Sequence, residues 1–472
     1  MSTTTPGVPG GPGRRTAARG RRARLDATSV LAVVLPLVTL ASLLLVHVSD
    51  QRRQAAHPTR TPLTTANLIC PAPLAGSAEA FLSTTRDGVR GKVALRSGGQ
   101  RSSARLVAGR VTTVRSGNDP LVTTGTGDLA PGLVGARLGA PGHLAVATCQ
   151  PTSPDQWFTG AGGAAQHSST LELVNPDAGP AVADVSVYGG HGVVDVSRLH
   201  GVSVPGGSDV RLDLGRLAPR RGDLALHVVT ERGRIAASVL DGSDQLGGGA
   251  SSQDWLPGQP VAGTDNFLLG LPPGAGERTL TLANGGDSEV RAQVRLVTED
   301  SVFTPEGVAP VRVPPQTAVQ VSLSSVLGSS AADGAIGLEV GASGPVSATL
   351  RSLVGGDLAH ATAGPALRSG TSVIVPTGRK QLVLAGAGGV GAVTVVARSA
   401  SGKTLDSSRT EVRPGQGALV DLPAAATLVS VTPERTTVHA AILATGAGAA
   451  AVPLADPVLK GLVPDVRPGL PQ

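Results

Sequence analysis

A short strand followed by a proline turn recurs three times in this chain of 472 residues. The strands are "TLELVNP", "TLTLANG" and "QLVLAGA", which begin at residues 170, 279 and 381. The spacings from strand leucine to turn proline are 34, 34 and 32 residues, counted from Leu171 to Pro205, Leu280 to Pro314 and Leu382 to Pro414. Such regular spacing predicts a tandem repeat.

Within each repeat, apolar and polar residues alternate with a period of two, and Gly, Pro, Asn or Asp separate the alternating runs. That pattern is typical of antiparallel strands with one buried face. Each unit of roughly 90 to 105 residues contains about seven such runs, enough for a two-sheet sandwich. We therefore expect an all-β chain of tandem immunoglobulin/fibronectin-like β-sandwich repeats.

A nucleotide-binding interpretation competes at residues 397–404, "ARSASGKT", where Gly402, Lys403 and Thr404 follow the spacing of a relaxed P-loop. A phosphate-binding loop needs a helix that begins at its Lys-Ser/Thr end. Alignment of the repeats instead puts this segment at a hairpin, and "LDSSRTEV" after it continues as strand or loop. We therefore predict a turn and no nucleotide site here. The glycines of "GAGGVG" at 386–391 also lie between predicted strands with no helix after them, so we predict no dinucleotide-binding site there either.

Charge and composition exclude a nucleic-acid partner. The net charge is +6, but residues 1–28 contain six arginines and one aspartate, which leaves about +1 (6 − 5) for the rest. With two Trp, one Tyr and four Phe, the chain lacks the basic stripe and stacking platforms of nucleic-acid binding. The nine histidines lie apart, and the local signatures of nucleophilic serines, zinc peptidases and calcium loops are missing. We predict no catalytic, cofactor or metal site.

An uncharged run at residues 27–48, "ATSVLAVVLPLVTLASLLLVHV", follows the arginine-rich tail. As a helix it would extend about 33 Å, enough for a hydrocarbon core of ~30 Å. The upstream arginines favour an N-terminus in the cytoplasm. We expect an uncleaved, single-pass transmembrane signal anchor in the cytoplasmic membrane. A cleaved signal peptide is the alternative, although its apolar region is normally about 7 to 15 residues long.

The two cysteines, Cys70 and Cys149, would both lie outside the cytoplasm. Export permits a disulfide between them, and closing a loop of about 80 residues would stabilise the fold by ~4 kcal/mol in the chain-entropy model. Two buried free thiols are the alternative. The spacing of these cysteines does not fit a zinc site.

Glycan binding is a second function class for exported β modules, and it commonly uses an aromatic face against a sugar ring. Trp255 in "SSQDWLPGQP" stands in a predicted linker and is the one aromatic residue of the repeats that is a candidate for an exposed binding position; a role without ligand binding is the alternative. Trp157, Phe158 and Phe267 lie in the strands that open the repeats, where they favour packing.

The arginine-rich tail, the single anchor, "ICP" after it and a "LVNP" strand followed by a "VPGG" turn resemble an actinobacterial family of membrane-anchored exported proteins with a domain of unknown function. The likeness covers roughly residues 66–455, and "LANGG" and "VPPQ" in the second repeat depart from it. The resemblance implies an envelope protein and brings no established activity.

The predicted segments are a disordered tail (1–26), the anchor (27–48), a linker (49–65), a divergent β domain (66–150), repeat 1 (151–245), a linker (246–262), repeat 2 (263–358), repeat 3 (359–455) and a C-terminal tail (456–472). We expect a non-enzymatic extracytoplasmic interaction or scaffold protein of the cell envelope; the alternative is a glycan- or cell-wall-polymer-binding protein. Its partners would be the membrane and an envelope protein or cell-wall polymer. A catalytic group assembled from distant residues would leave no local signature.

Overall fold

The computed structural model describes residues 27–45, 59–140, 143–244 and 251–463. The chain divides into two compact units, one comprising Arg60–Leu462 and the other Met1–Thr59 with Val463–Gln472. The predicted tail at 1–26 and the last residues of the predicted anchor, 46–48, lie outside the described residues.

The smaller unit contains helix α1 (Ala27–Leu45), which includes Pro36. Its apolar side chains are exposed, among them Leu31 and Leu37 at 66% and 60%. No helix in the described part of the chain meets the length and hydropathy that a membrane span requires.

The larger unit is built from antiparallel strands, and its hydrogen-bonded sheets group into four sheet pairs. Strand β1 (Thr59–Pro62) precedes sheet pair 1, which comprises β2 (Thr65–Cys70), β3 (Glu79–Thr84), β4 (Arg90–Ser97), β5 (Gln100–Val107), β6 (Thr112–Arg115), β7 (Leu121–Thr126), β8 (Leu133–Leu138) and β9 (Val146–Thr148). Sheet pair 2 comprises β10 (Asp155–Ala161), β11 (Gly163–Ala164), β12 (His167–Val174), β13 (Ala181–Gly189), β14 (Gly192–Val193), β15 (Val202–Val204), β16 (Asp209–Asp213), β17 (Leu224–Arg232), β18 (Ala236–Asp244) and β19 (Ser251–Leu256).

Sheet pair 3 comprises β20 (Gly263–Leu269), β21 (Gly276–Asn284), β22 (Val290–Val297), β23 (Val302–Phe303), β24 (Val311–Val313), β25 (Thr317–Ser322), β26 (Gly337–Val354) and β27 (Asp357–Thr362). Sheet pair 4 comprises β28 (Thr371–Ile374), β29 (Arg379–Ala385), β30 (Gly391–Arg398), β31 (Thr404–Val412), β32 (Ala418–Leu422), β33 (Leu428–Glu434), β34 (His439–Thr445) and β35 (Ala449–Pro453), and β36 (Lys460–Val463) pairs with β1. Short helices α2 (Leu214–Leu217) and α3 (Ser324–Leu327) and three 3₁₀ turns at Gly127–Leu129, Ser197–Leu199 and Ser330–Ala332 complete the described elements.

All four sheet pairs share one strand order. In pairs 1 and 4 the sheets run β2-β7-β4-β5 with β6-β3-β8-β9, and β28-β33-β30-β31 with β32-β29-β34-β35. In pair 3 the long strand β26 takes two places, because its first half pairs with β20 and β22 and its second half with β21 and β27. The all-β prediction is confirmed. The order differs from the ABED and CFG sheets of a constant-type immunoglobulin domain, in which the first two strands pair with each other. Here the first strand of a sheet pair lies beside the sixth, as β2 lies beside β7 and β28 beside β33.

The leucines of the recurring strands fill the space between the two sheets of their pair. Leu171 and Leu173 are completely buried, as are Leu280 and Leu282 and then Leu382 and Leu384. Each such side chain contributes about 1.5 to 3 kcal/mol through its removal from water. The turn prolines lie at equivalent places in their sheet pairs: Pro205 between β15 and β16, Pro314 between β24 and β25, and Pro414 between β31 and β32.

The P-loop-like segment forms the hairpin between β30 and β31. The Gly402 N–H donates to the Ser399 carbonyl oxygen at 2.9 Å, and the Ser399 N–H donates to the Lys403 carbonyl oxygen at 2.9 Å. Gly402 has a φ of 87°, a left-handed conformation that a side chain would strain. The chain continues from Thr404 as strand β31.

The four sheet pairs contact one another in a closed cycle. The apolar clusters that join neighbouring pairs contain Ile69 with Val174 (pairs 1 and 2), Tyr188 with Ala318 (2 and 3), Leu269 with Ala441 (3 and 4), and Ile374 with Ala136 (4 and 1). The last strands of the pairs, β9, β19, β27 and β35, contact one another in the same order. Equivalent strands therefore meet at the centre of the cycle.

Candidate functional site

Trp255 lies in β19 at the centre of the cycle and is 4% exposed. Leu74, Ala145 and Ala147 belong to the apolar cluster around it, and its Nε1 donates a hydrogen bond to the Ala72 carbonyl oxygen at 3.3 Å. The expectation of an exposed aromatic in a linker is therefore wrong, because residues 251–256 form a strand whose apolar neighbours withdraw the indole from water. Trp255 instead lines a narrow central cavity of about 100 Å³.

A disulfide joins Cys70, at the end of β2, to Cys149, just after β9. Both residues are buried in the core of sheet pair 1, and their Cα atoms are 4.1 Å apart. The packing is tight here, since a Cβ atom added at Gly135 would lie 2.9 Å from the Cys149 Sγ. The disulfide therefore links β2, the first strand of sheet pair 1, to the end of β9, the strand of this pair that lies at the centre of the cycle.

A group of buried polar side chains, which we call the Asp241 cluster, joins sheet pairs 2 and 3. Its members are His167, Ser169, Asp241, Asp254, Arg351 and His360. Asp241 Oδ1 accepts hydrogen bonds from Ser169 Oγ at 2.6 Å and from His167 Nε2 at 3.0 Å. Its Oδ2 accepts from Arg351 Nε at 3.1 Å and from His360 Nε2 at 3.0 Å. One carboxylate is thus held by side chains of both sheet pairs.

The environment of the Asp241 cluster fixes its charges. Burial acts to raise the pKa of Asp241, but attraction to His167 and His360 and hydrogen bonds from them hold the pKa well below its usual range. Burial acts to lower the pKa of His360, but its hydrogen bond to Asp241 and its attraction to the Asp241 and Asp254 carboxylates outweigh this and raise the pKa. Burial raises the pKa of Asp254 to about 6. The cluster therefore favours the ionised form of Asp241 and the protonated form of His360.

Lys380, the second residue of β29 in sheet pair 4, is a second buried ionisable group and is 2% exposed. Burial lowers the pKa of its amine to about 8. Nζ donates hydrogen bonds to the carbonyl oxygens of Gly378, Pro423 and Ala424 at 2.8 to 3.2 Å. These bonds use all three donors of an ammonium group, so Lys380 holds two turns together.

A cleft of about 540 Å³ lies between sheet pairs 1 and 4 and is closed on one side by the β1–β36 ribbon. The residues that define the cleft are Pro62, Thr84, Thr85, Arg86, Asp87, Gly109, Pro131, Gly370, Thr371, Ser372, Val396, Arg398, Leu428, Ser430, Thr432, Pro457, Leu459 and Lys460. Its volume falls within the range of about 300 to 1,000 Å³ that is common for ligand pockets.

The floor of the cleft is the outer face of the β28-β33-β30-β31 sheet. Along β33, Val429 and Val431 point into the core of sheet pair 4, whereas Ser430 and Thr432 point outward. Leu428 lies on the same outer face, but it is buried in the cluster that joins pair 4 to pair 1. Period-two alternation therefore produces a face that is apolar where the two pairs touch and hydroxylated where they separate.

Arg398 is the central cation of the cleft. It is the last residue of β30, and its Nη1 donates a hydrogen bond to Ser430 Oγ at 3.3 Å. Ser430 Oγ in turn lies 2.8 Å from Ser372 Oγ. A Cβ atom built at Gly109 would lie 3.6 Å from the Arg398 Cδ, so the side chain reaches across to the wall formed by sheet pair 1. Sequence patterns did not indicate these residues, which come from separate strands.

The described residues contain no group of three or more His, Cys, Asp or Glu side chains arranged to hold a metal ion. The model of a family of unknown function, DUF5719, matches residues 108–423, which is about two thirds of the chain. No curated protein matches the chain at a significant level.

Proposed function

For this chain, which belongs to the DUF5719 family of unknown function, we propose the role of a non-enzymatic interaction or scaffold protein of the cell envelope. In this proposal a single N-terminal helix anchors the chain in the cytoplasmic membrane, with the N-terminus in the cytoplasm and the sheet pairs outside. The units 66–150, 151–245, 263–358 and 359–455 act as tandem sandwich modules of an exported actinobacterial protein.

The observation that carries the proposal is the placement of the shifted ionisable groups. Asp241, Asp254 and His360 are all buried, and each is bonded to another member of the Asp241 cluster or lies beside one. Catalytic groups with shifted pKa values normally face a cleft that substrate can enter. The shifts of these three groups occur where sheet pairs 2 and 3 join, so they support a role in holding those two modules together.

Three features support an anchored, extracytoplasmic location. The disulfide between Cys70 and Cys149 is typical of proteins that fold in an oxidising compartment. The uncharged run at 27–48 follows six arginines and precedes Arg52 and Arg53, a bias that favours an N-terminus in the cytoplasm. The apolar side chains exposed along α1 also favour a non-aqueous environment.

Protease protection tests this location. The full chain would carry one epitope tag at each end and be expressed in cells whose outer envelope has been permeabilised. We expect added protease to remove the C-terminal tag and spare the N-terminal tag, with the protected fragment resistant to alkaline extraction from membranes. Protection of both tags, or release of the N-terminal fragment, would contradict the anchored topology.

Chemical crosslinking in intact cells, followed by purification through the tag, tests the scaffold role. We expect a defined set of crosslinked envelope components that disappears when the Asp241 cluster is disrupted. A chain that forms no crosslinks while it remains folded and exported would contradict this role.

Binding of a glycan or cell-wall polymer is the second candidate function, and the cleft favours it. Hydroxyl groups of Ser372, Ser430 and Thr432 lie on one open sheet face, where they can exchange hydrogen bonds with a polyhydroxylated chain. Titration of the full chain with soluble wall polysaccharides tests this function. Binding that is lost on substitution of Ser430 and Thr432 supports it, and an absence of binding to any polysaccharide overturns it.

A further inference from the structure

The cleft carries an excess of positive charge. Of the lining residues that the structure describes, Arg86, Arg398 and Lys460 are cations, and Asp87 is the single acid. Within the described part of the chain, none of these three cations lies within ion-pair distance of a carboxylate. Unpaired cations along a cleft attract anions from outside the chain, and the planar guanidinium of Arg398 matches the geometry of a carboxylate or phosphate group.

The geometry around Arg398 leaves its guanidinium available. A guanidinium has five N–H donors, and among the described residues one bond from Arg398, that to Ser430, is present. The Ser372–Ser430 contact positions the hydroxyl that Arg398 binds. The side chain is therefore oriented by the sheet face, while further donors remain for the two oxygens of a phosphate or carboxylate group.

The lining also indicates which polymers fit. Neutral sugars are commonly held by aromatic side chains that stack on the ring, and no Trp, Tyr or Phe belongs to the described lining of the cleft. Recognition here must depend on charge and on hydrogen bonds from hydroxyl groups. Because the cleft is bounded by two sheet pairs and a ribbon, it accommodates a segment of an extended chain better than it accommodates a flat surface.

We infer that the cleft binds an oxyanion-bearing, polyhydroxylated polymer, with Arg398 holding a phosphate or carboxylate group and Arg86 and Lys460 holding its neighbours along the chain. Ser430 and Thr432 hydrogen-bond the hydroxyl groups between the charges. This inference rests on the second proposed function and adds to it the chemical class of the ligand. The anion can come from a phosphodiester or from a uronic acid, since both present negatively charged oxygens. The experiment distinguishes them by using a separate oligomer for each.

The experiment is calorimetric titration of the purified full chain in detergent with three oligomers of matched length. Poly(glycerol phosphate) supplies phosphodiesters, oligogalacturonate supplies carboxylates, and dextran supplies neutral hydroxyls. The variants are Arg398→Gln, the pair Arg86→Gln and Lys460→Gln, and the matched control Arg216→Gln. Arg216 has the same charge, is 88% exposed in its side chain and lies on α2 of sheet pair 2, away from the cleft.

We expect one or both anionic oligomers to bind and dextran not to bind. Loss of a charge-assisted bidentate contact should weaken affinity at least about tenfold in Arg398→Gln, with Arg216→Gln unchanged. Arg398→Lys should recover only part of the loss, because an ammonium group lacks the planar fork. If Arg398→Gln alters the unfolding midpoint, the exposed pair Arg86→Gln and Lys460→Gln takes its place in the comparison.

Three results would overturn the inference. Wild-type protein that binds neither anionic oligomer, or that loses as much affinity in Arg216→Gln as in Arg398→Gln, has no specific anion site in the cleft. Binding of dextran as tight as that of the anionic oligomers removes the anionic ligand class while leaving the polysaccharide function intact, so failure of this inference is distinguishable from failure of that function.

Discussion

Asp241 of β18 and His360 of β27 are 119 residues apart in sequence, yet their Oδ2 and Nε2 atoms lie 3.0 Å apart in a fully buried ion pair. The two strands belong to different sheet pairs, so this contact fixes one pair against the other. Arg351 shares Oδ2 with His360, and His167 and Ser169 share Oδ1. A buried charge with this many partners contributes to register between modules, and its removal should be costly.

Replacing Asp241 with Ala should lower the free energy of unfolding by about 3 to 5 kcal/mol, because it leaves Arg351 and His360 buried without the carboxylate that accepts their hydrogen bonds. Urea unfolding followed by circular dichroism measures the change. Asp184→Ala is the matched control, since that carboxylate is part-exposed and pairs with an exposed histidine, His200, and should cost less than about 1 kcal/mol. Equal losses in the two variants would contradict a special role for the buried pair.

The pKa shifts in the Asp241 cluster predict a stability that falls as pH rises. Asp254 has a folded pKa of about 6 against an ordinary value of 3.8, so the folded chain binds more protons between those values. Its contribution is complete below the unfolded pKa and is lost as pH rises through about 6, on the order of 3 kcal/mol in total. His360, whose pKa is also raised, extends the loss above its unfolded value of 6.5.

Urea unfolding from about pH 4 to about pH 8 measures this dependence. Asp254→Asn should flatten the part of the curve below about pH 6, and Asp333→Asn, at an exposed position, should leave it unchanged. Asp241, whose pKa is lowered, acts in the opposite direction and loses its contribution only below its ordinary range. A wild-type stability that rises steadily from pH 4 to pH 8 would show that the buried carboxyl is not the dominant group.

Loss of the disulfide should destabilise the larger unit. The bond closes a loop of 79 residues, and the chain-entropy model gives about 4.5 kcal/mol for such a loop. The double variant Cys70→Ser and Cys149→Ser should therefore unfold at lower urea concentration than the oxidised parent. A reductant should shift the parent toward the double variant and leave the double variant itself unchanged. Alkylation of the Cys70 and Cys149 thiols checks that the reductant has opened the bond. A parent whose thiols are alkylated but whose unfolding midpoint does not change would contradict the prediction.

Local sequence patterns predicted the strands because each depends on neighbours within a few residues. Leu280 and Leu282 alternate with polar residues, and the same alternation places them in a sheet core. The turn prolines were recognisable for the same reason. Sheet pair 1 shares the strand order of the other three although its sequence lacks their recurring motifs, so topology persists where turn residues have changed.

The contacts between sheet pairs could not be predicted from local sequence patterns. Trp255 stands between a glycine-rich segment and "PGQP", which indicates a linker, but tertiary packing against sheet pair 1 makes it a buried strand residue. Arg398 and Arg86 are brought to one cleft by contacts between pairs 4 and 1, and Asp241 meets His360 across pairs 2 and 3. Each of these positions depends on how complete sheets dock, which local periodicity does not encode.

Substitution of Trp255 separates packing from ligand binding. Trp255→Ala should lower the free energy of unfolding by about 3 to 5 kcal/mol, because it leaves a void beside the central cavity and removes the partner of the Ala72 carbonyl oxygen. Trp255→Phe retains most of the apolar surface and should cost less. Provided that both variants are studied under conditions where they remain folded, affinity for the anionic oligomers should stay within about twofold of the parent, since Trp255 does not line the cleft. A folded Trp255→Phe chain that loses oligomer binding would instead locate the binding surface at the centre of the cycle.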